Sequence, residues 1–371
     1  MRGSIIRRGK HSWRLKFDLD RENGERRTRY LTVKGTRKEA EAELARHLSE
    51  AHRGILIDPS KVTVGAYLHQ WLAGRDLSPS SRQQYLDIIV RQVEPVLGQL
   101  VLQKLKPVDV KAWLSGLRRR DGSKLHPRTI HCAYRVLHSA LAEAVQLEMV
   151  SRNVAAAATP PRVRAEEVEI LTAGQITALL KALGGSRLHA IATLAFATGM
   201  RRGELLALRW RNVDLHKGAI KVEQSLEQTK AGLRFKEPKS RHGVRTILVP
   251  ASTTDMLSRH RKAQLEIRMV LGMGKPDADA LVFCNHHGEP ISPNSLTASW
   301  IQAITRSGLP RVTFHACRHS HASALIAAGI DVVSVSRRLG HSSPTITLST
   351  YAHLFRETDA AAAAAIEQML K

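Results

Sequence analysis

Residues 315–323, HACRHSHAS, and residues 339–354, LGHSSPTITLSTYAHL, decide how this 371-residue chain is read. Between them they place His315 three positions before Arg318, His341 after a glycine, and Tyr351 in a short polar segment. Upstream, residues 198–210 read TGMRRGELLALRW and residues 238–250 read PKSRHGVRTILVP, which add Arg201, Glu204 and Lys239. Taken singly, each residue has an ordinary explanation. Arg201 and Arg202 suit a helix-terminal surface pair, and Lys236 and Lys239 suit solvated hairpin lysines. His315 and His319 suit core or capping histidines, and Tyr351 a half-buried tyrosine. The order of the four segments, over about 150 residues, is what carries information.

Other chemistries leave no sequence signal. The chain has no GxxxxGKS/T phosphate loop, no GxGxxG between a strand and a helix, and no HExxH. His315, His319 and His321 lack a matching carboxylate or cysteine set, and Cys284-Asn285-His286-His287 reads as a loop beside a strand end. No cofactor and no metal are therefore expected. The formal net charge is +24. Lys and Arg outnumber Asp and Glu by 15 to 9 in residues 1–60, by 14 to 7 in residues 61–155 and by 28 to 17 in the remainder. A basic tail would concentrate the excess, whereas this spread points to nucleic-acid contact along the whole chain. A soluble basic surface and a membrane-surface binder remain as alternatives. Aromatic residues make up only 4%, which favours contact with the backbone of duplex DNA over stacking on single strands. The cysteines, Cys132, Cys284 and Cys317, form no pair, so a cytoplasmic, reducing compartment with buried thiols is expected. The apolar runs fall short of a membrane span, and the first residues lack the apolar stretch of a secretory signal.

Local patterns divide the chain into three units. In residues 1–58, HSWRLKFDLD alternates, Asn23-Gly24 offers a tight hairpin turn, RTRYLTVK returns, and GSIIRR supplies a third strand. Thr36-x-x-Glu39 caps a helix running to about His52. The sheet's basic face suits either a DNA groove or solvent. Residues 62–155 read as all-helical. Ser78-Pro79 starts a helix that stops near Pro95–Gly98, KPVDVKAWLSGLRRR gives another, and Ile130, Tyr134, Leu137, Leu141 and Val145 mark the apolar face of a long one. Residues 156–169, with Pro160-Pro161, form a linker. Residues 170–371 are mostly helical, with a Thr172-x-x-Gln175 cap and strand-like alternation in AIKVEQSL, LRFKEPK and VRTILVP. Helices return after Ser292, and an alanine-rich tail ends in a short helix. The fold class is multidomain α+β.

With all four segments in order, the sequence resembles the tyrosine recombinases, also called phage integrases. That family carries an Arg after Thr-Gly at a helix start, a Lys on a β-hairpin, His-x-x-Arg, Gly-His and finally a Tyr. The matching positions are Arg201, Lys239, His315, Arg318, His341 and Tyr351, with Glu204 at an acidic position of the family. The resemblance covers the third unit, a mostly helical catalytic domain with a small antiparallel sheet. The first two units resemble, more loosely, an arm-type DNA-binding domain and a helical core-binding domain. Ala316-Cys317 stands where the family often has Asp-Leu, and Gly243-Val244 replaces a common Ser-Arg, which removes a phosphate contact at most.

The resemblance implies a defined chemistry. Tyr351 attacks a DNA phosphodiester and forms a 3′-phosphotyrosyl link. Arg201 and Arg318 clamp the extra negative charge of the five-coordinate phosphorus, which guanidiniums do bidentately. A phenol's pKa lies near 10, so it needs a proton acceptor, for which His315 is the family candidate. Lys239 protonates the leaving 5′-oxygen, His341 hydrogen-bonds the phosphate, and Glu204 supports the pocket. The phosphodiester energy is kept in the new bond, so neither a nucleotide nor a metal is needed. The implied function is a site-specific DNA recombinase that integrates or excises a mobile element such as a viral genome. The implied partners are double-stranded DNA, clamped by the second and third domains, and a homotetramer in the synaptic complex, to whose neighbouring protomers the tail could dock. A DNA-bending host factor and an excision factor are further partners, and DNA-bound protein would be nucleoid-associated. Three rivals stay open: a chromosome dimer-resolving recombinase, a non-catalytic DNA-binding regulator with a vestigial recombinase fold, and a type IB topoisomerase.

Overall fold

The computed structural model describes residues 3–18, 28–52, 60–119, 121–163, 169–238, 243–352 and 366–370. It divides into two compact units, Met1–Arg164 and Ala165–Lys371.

The first unit opens with an antiparallel sheet of β1 (Gly3–Gly9), β2 (Ser12–Asp18) and β3 (Thr28–Lys34), in that order. Leu15 on the central strand pairs with Ile5 and Leu31 and is fully buried, as its place in the alternation requires. The Asn23-Gly24 turn lies outside the described residues. Helix α1 (Arg37–His52) packs on the sheet and starts at the expected capping box. The Thr36 amide donates to Glu39 Oε2 at 2.7 Å, and the Glu39 amide donates to Thr36 Oγ at 3.3 Å.

The rest of this unit is a helical bundle of α2 (Val64–Ala73), α3 (Pro79–Ile88), α4 (Glu94–Leu97), α5 (Pro107–Gly116) and α6 (Pro127–Gln146). Ser78 caps α3 by accepting from the Ser81 amide. A wider π-helical turn, Ile89–Val93, then joins α3 to α4 just before Pro95. Proline has no N–H to offer and clashes with the preceding turn, so a local widening relieves it. The Gln92 carbonyl within this turn accepts from the Trp113 indole at 2.6 Å. Leu137, Leu141, Trp71 and Trp113 fill the core, and the buried Tyr67 hydroxyl donates to the Ala140 carbonyl at 2.7 Å. Ala155 and Ala158 also sit in this core, so packed structure continues into the Ala-rich segment before Pro160-Pro161.

The second unit contains α7 (Ala173–Ala182), α8 (Arg187–Thr198), α9 (Arg202–Leu206), α10 (Ala251–Val270), α11 (Pro293–Ser307), α12 (Ala316–Ala327), α13 (Val332–Leu339) and α14 (Pro344–Tyr351). Its strands are β4 (Val213–Asp214), β5 (Ala219–Val222), β6 (Ser225–Thr229), β7 (Gly232–Lys236) and β8 (Arg245–Leu248). They form two small antiparallel sheets, ordered β4-β5-β8 and β6-β7. Two details differ from the sequence expectation. AIKVEQSL is not one strand: β5 and β6 belong to different sheets, because the chain leaves the first sheet after Val222 and Ser225 begins a hairpin of its own. The 20-residue α10 was not expected, because only Thr253, Met256 and Leu257 of it are buried, too few to give a visible apolar period. Residues 366–370 are helical, as expected of the tail. Among the described residues, no helix is long and apolar enough to cross a membrane, and no cluster of His, Cys, Asp and Glu is arranged to hold a metal.

Candidate active site

The site is assembled at helix ends, where backbone groups lack intrahelical partners. Helix α8 ends at Gly199 (φ 65°) and α13 ends at Gly340 (φ 68°), both left-handed. A Cβ on Gly199 would lie 2.7 Å from the His321 ring, and one on Gly340 would lie 2.7 Å from the Arg245 guanidinium. Only glycine fits either place without strain. The carbonyls that these two turns present hold the two arginines. Arg318 Nη1 donates to the Gly199 carbonyl at 2.8 Å, and Arg201 Nη2 donates to the Gly340 carbonyl at 3.1 Å.

Arg201 is the residue at which α9 begins, and Glu204 closes that turn. The Arg201 amide donates to Glu204 Oε2 at 2.9 Å, and Arg201 Nη1 donates to Glu204 Oε1 at 2.8 Å. Glu204 is only 5% exposed. Its second partner is Arg245 at the start of β8, whose Nη2 donates to Glu204 Oε2 at 2.8 Å and whose Nε donates to the Arg338 carbonyl at 2.8 Å. Burial alone would raise the Glu204 pKa, but the bond and charge of Arg245, followed by Arg201, more than offset it and hold the carboxyl low. Glu204 is therefore an ionised bracket between two arginines. Arg202 points elsewhere: it donates to the Pro293 carbonyl at 3.0 Å and to Thr297 on α11.

Arg201, His315, Arg318, Gly340 and His341 line one cleft of about 670 Å³, together with Lys236. Lys236 is paired with Glu227 across the β6–β7 hairpin. Lys239 lies outside the described residues. Arg318 is 3% exposed, and its Nη2 has no hydrogen-bond partner among the described residues. Burial, then the charge of Arg201, brings its pKa down to about 9. A buried cation with an unused donor is costly unless an anion arrives. His315 opens α12. Although part of it faces solvent, the protein packed around the ring, then His319, Arg318 and Arg201, pull its pKa down to about 4. His341 shares a 2.7 Å hydrogen bond with Thr347 and is held at about 4 by burial, then by Arg318 and Arg201. Both histidines are thus neutral at pH 7, free to donate or accept one hydrogen bond per ring nitrogen.

Tyr351 ends α14 but is not part of the cleft wall. It is 2% exposed and packs with Ala322, Ile326, Val335 and Leu339. Its hydroxyl is 2.6 Å from His319 Nδ1, and burial pushes its pKa up to about 12. Of the residues singled out in the sequence, the structure brings Arg201, Glu204, His315, Arg318 and His341 to one cleft and sets Tyr351 beside it, on His319. Two contacts escaped sequence reasoning. The His315–His319 spacing of four residues signals a shared helix face, and their rings meet edge-on at 4.7 Å. Arg245 was visible only as the start of a strand. His321 is structural: its Nδ1 lies 2.8 Å from the Phe196 carbonyl and its Nε2 accepts from Arg338 at 3.0 Å.

Comparison with known proteins places this geometry. A model of the phage integrase family matches residues 169–358, and a model of the phage integrase N-terminal SAM-like domain matches residues 63–118. The chain belongs to the phage integrase family. It is a tyrosine site-specific recombinase. It is similar to a XerC-like tyrosine recombinase of Caldanaerobacter subterraneus subsp. tengcongensis, 27% identical over 95% of this chain and 94% of the relative. It is also similar to an integrase of Streptomyces ambofaciens, 29% identical over 85% of this chain and 82% of the relative. Its fold is shared with the Tn1549 transposon integrase bound to transposon right end DNA (TM-score 0.71, 22% identity, covering 83% of this chain and 100% of the other). A lambda integrase tetramer bound to a Holliday junction also shares it (TM-score 0.60, 19% identity, covering 96% of each).

Proposed function

We propose that this recombinase integrates and excises a mobile element by cutting duplex DNA with Tyr351. The observation that carries this reading is the buried Nη2 of Arg318, which has no partner among the described residues, on a cleft that also holds Arg201, His315 and His341. A non-bridging phosphate oxygen supplies the missing acceptor. Arg201 and Arg318, each fixed by a glycine carbonyl, then stabilise the five-coordinate phosphorus without moving. His341 hydrogen-bonds the phosphate, Lys239 protonates the leaving 5′-oxygen, and His315 lies on the same cleft. Glu204 and Arg245 hold Arg201 in place. The chain's charge of +24 suits a polyanion.

By similarity to the lambda integrase tetramer on a Holliday junction, four protomers assemble on two duplexes. The N-terminal sheet, residues 1–58, binds accessory arm sites, residues 62–155 bind the core site, and residues 170–371 carry out the chemistry. The tail docks on a neighbouring protomer. A DNA-bending host factor and an excision factor set direction, and the complex works on nucleoid DNA. The sheet preceding the helical bundle favours an integrase over a chromosome dimer-resolving enzyme. The filled catalytic positions oppose a non-catalytic regulator.

The test uses a nicked suicide duplex carrying the element's end, from which the cut strand diffuses away and traps the intermediate. In EDTA, wild type is expected to give a covalent protein–DNA band and Tyr351→Phe none, with equal binding in a gel shift. Tight binding by both proteins and no covalent band from either would favour a regulator.

A further inference from the structure

Tyr351 needs a proton acceptor, and the residue in contact with its hydroxyl is His319, not His315. His319 Nδ1 and the Tyr351 oxygen are 2.6 Å apart, a short hydrogen bond between α12 and α14. The two rings pack at 5.7 Å between centroids. Among the described residues, Tyr351 otherwise packs in a cluster with Ala322, Ile326, Val335 and Leu339, none of which can take a proton. His315 touches the edge of the His319 ring instead, at 4.7 Å between centroids and nearly perpendicular.

We propose that His319 is the general base for Tyr351, while His315 serves the phosphate side of the cleft. This rests on Tyr351 being the nucleophile. In the forward step the phenol O–H bond breaks and its proton passes to His319 Nδ1. The phenolate oxygen bonds phosphorus, the bond from phosphorus to the 5′-oxygen breaks, and that oxygen takes a proton from the leaving-group acid. Rejoining runs in reverse: the attacking 5′-hydroxyl gives up its proton, and tyrosine recovers one from His319. The acceptor must be neutral at the start, and burial, then the Arg318 charge, keep His319 below the ordinary histidine range. Among the described residues, the ionisable groups facing it are Tyr351 from α14 and His315 and Arg318 from its own helix. Arg338, reaching α12 from α13, is engaged with His321 instead.

Cleavage rates on two suicide duplexes test the assignment, one with the normal 5′-oxygen and one with sulfur at the bridging 5′ position. A thiolate leaves without protonation, so only leaving-group defects disappear on the sulfur substrate. His319→Ala is expected to cleave about 10²- to 10⁴-fold more slowly on both duplexes. Added imidazole should restore part of the rate, and Lys239→Ala should be rescued by sulfur. His319→Asn keeps an acceptor near the Nδ1 position but little basicity, so it should hold the tyrosine and still cleave slowly. The proposal is overturned if His319→Ala cleaves at the wild-type rate, if sulfur rescues it, or if His319→Asn is fully active. Those results leave the nucleophile assignment standing, because wild type still forms its adduct. Absence of an adduct from wild type itself would remove both.

Discussion

Replacing Arg318 by methionine is expected to lower strand cleavage by about 10³-fold or more while changing the stability of the DNA-free protein by no more than about 1 kcal/mol. The two effects separate because, in the proposed mechanism, this arginine serves a ligand. It is 3% exposed, one nitrogen holds the Gly199 carbonyl, and Nη2 holds nothing among the described residues. A buried ion without a full set of partners is often replaced by an apolar group of similar size at no net cost. Against this, the Gly199 carbonyl loses a donor, which costs about 1 kcal/mol. In the proposed mechanism, however, the missing guanidinium is one of the two that clamp the reacting phosphorus. Urea unfolding and suicide-duplex cleavage measure the two quantities. A large loss of stability with cleavage intact would mean that Arg318 is a structural residue.

Arg245→Ala is expected to act through stability first. It removes the principal partner of a carboxylate that is 5% exposed, leaving Glu204 ionised beside Arg201 alone. Breaking a buried ion pair from one side costs about 3–5 kcal/mol, much of it the penalty of the stranded charge. Adding Glu204→Gln should therefore recover part of the stability without restoring cleavage, because Arg201 then loses its bracket. Thermal unfolding of the two single variants and the double variant forms the cycle that isolates the coupling. Purely additive losses would show that the Arg201–Glu204–Arg245 bracket is not one unit.

What the sequence disclosed, and what it withheld, follows from range. Capping boxes act within one turn, so Thr36–Glu39, Thr172–Gln175 and the Ser78 cap of α3 could be read from spacing alone. The long α6 was legible because Leu137 and Leu141 repeat at helical spacing and are buried. Helix α10 was not, since its buried stripe is three residues in twenty. The split between β5 and β6 depends on a distant pairing, because β5 takes β8 from beyond the hairpin that β6 forms with β7. In the candidate site, the proposed residues come from ordered motifs, but their partnerships do not. Arg201 meets the Gly340 carbonyl, and Arg245 meets Glu204, across spans that no local pattern encodes. Which of His315 and His319 meets Tyr351 depends on which side of α12 faces α14, which spacing alone leaves open.

The most direct test of the account is the location of the covalent bond. Wild-type protein trapped on the suicide duplex would be digested with nuclease and protease, and the peptide carrying the residual nucleotide sequenced by mass spectrometry. The account predicts a nucleotide 3′-phosphate esterified to Tyr351 and to no other residue. An adduct on another of the chain's tyrosines, or on a serine, would contradict it.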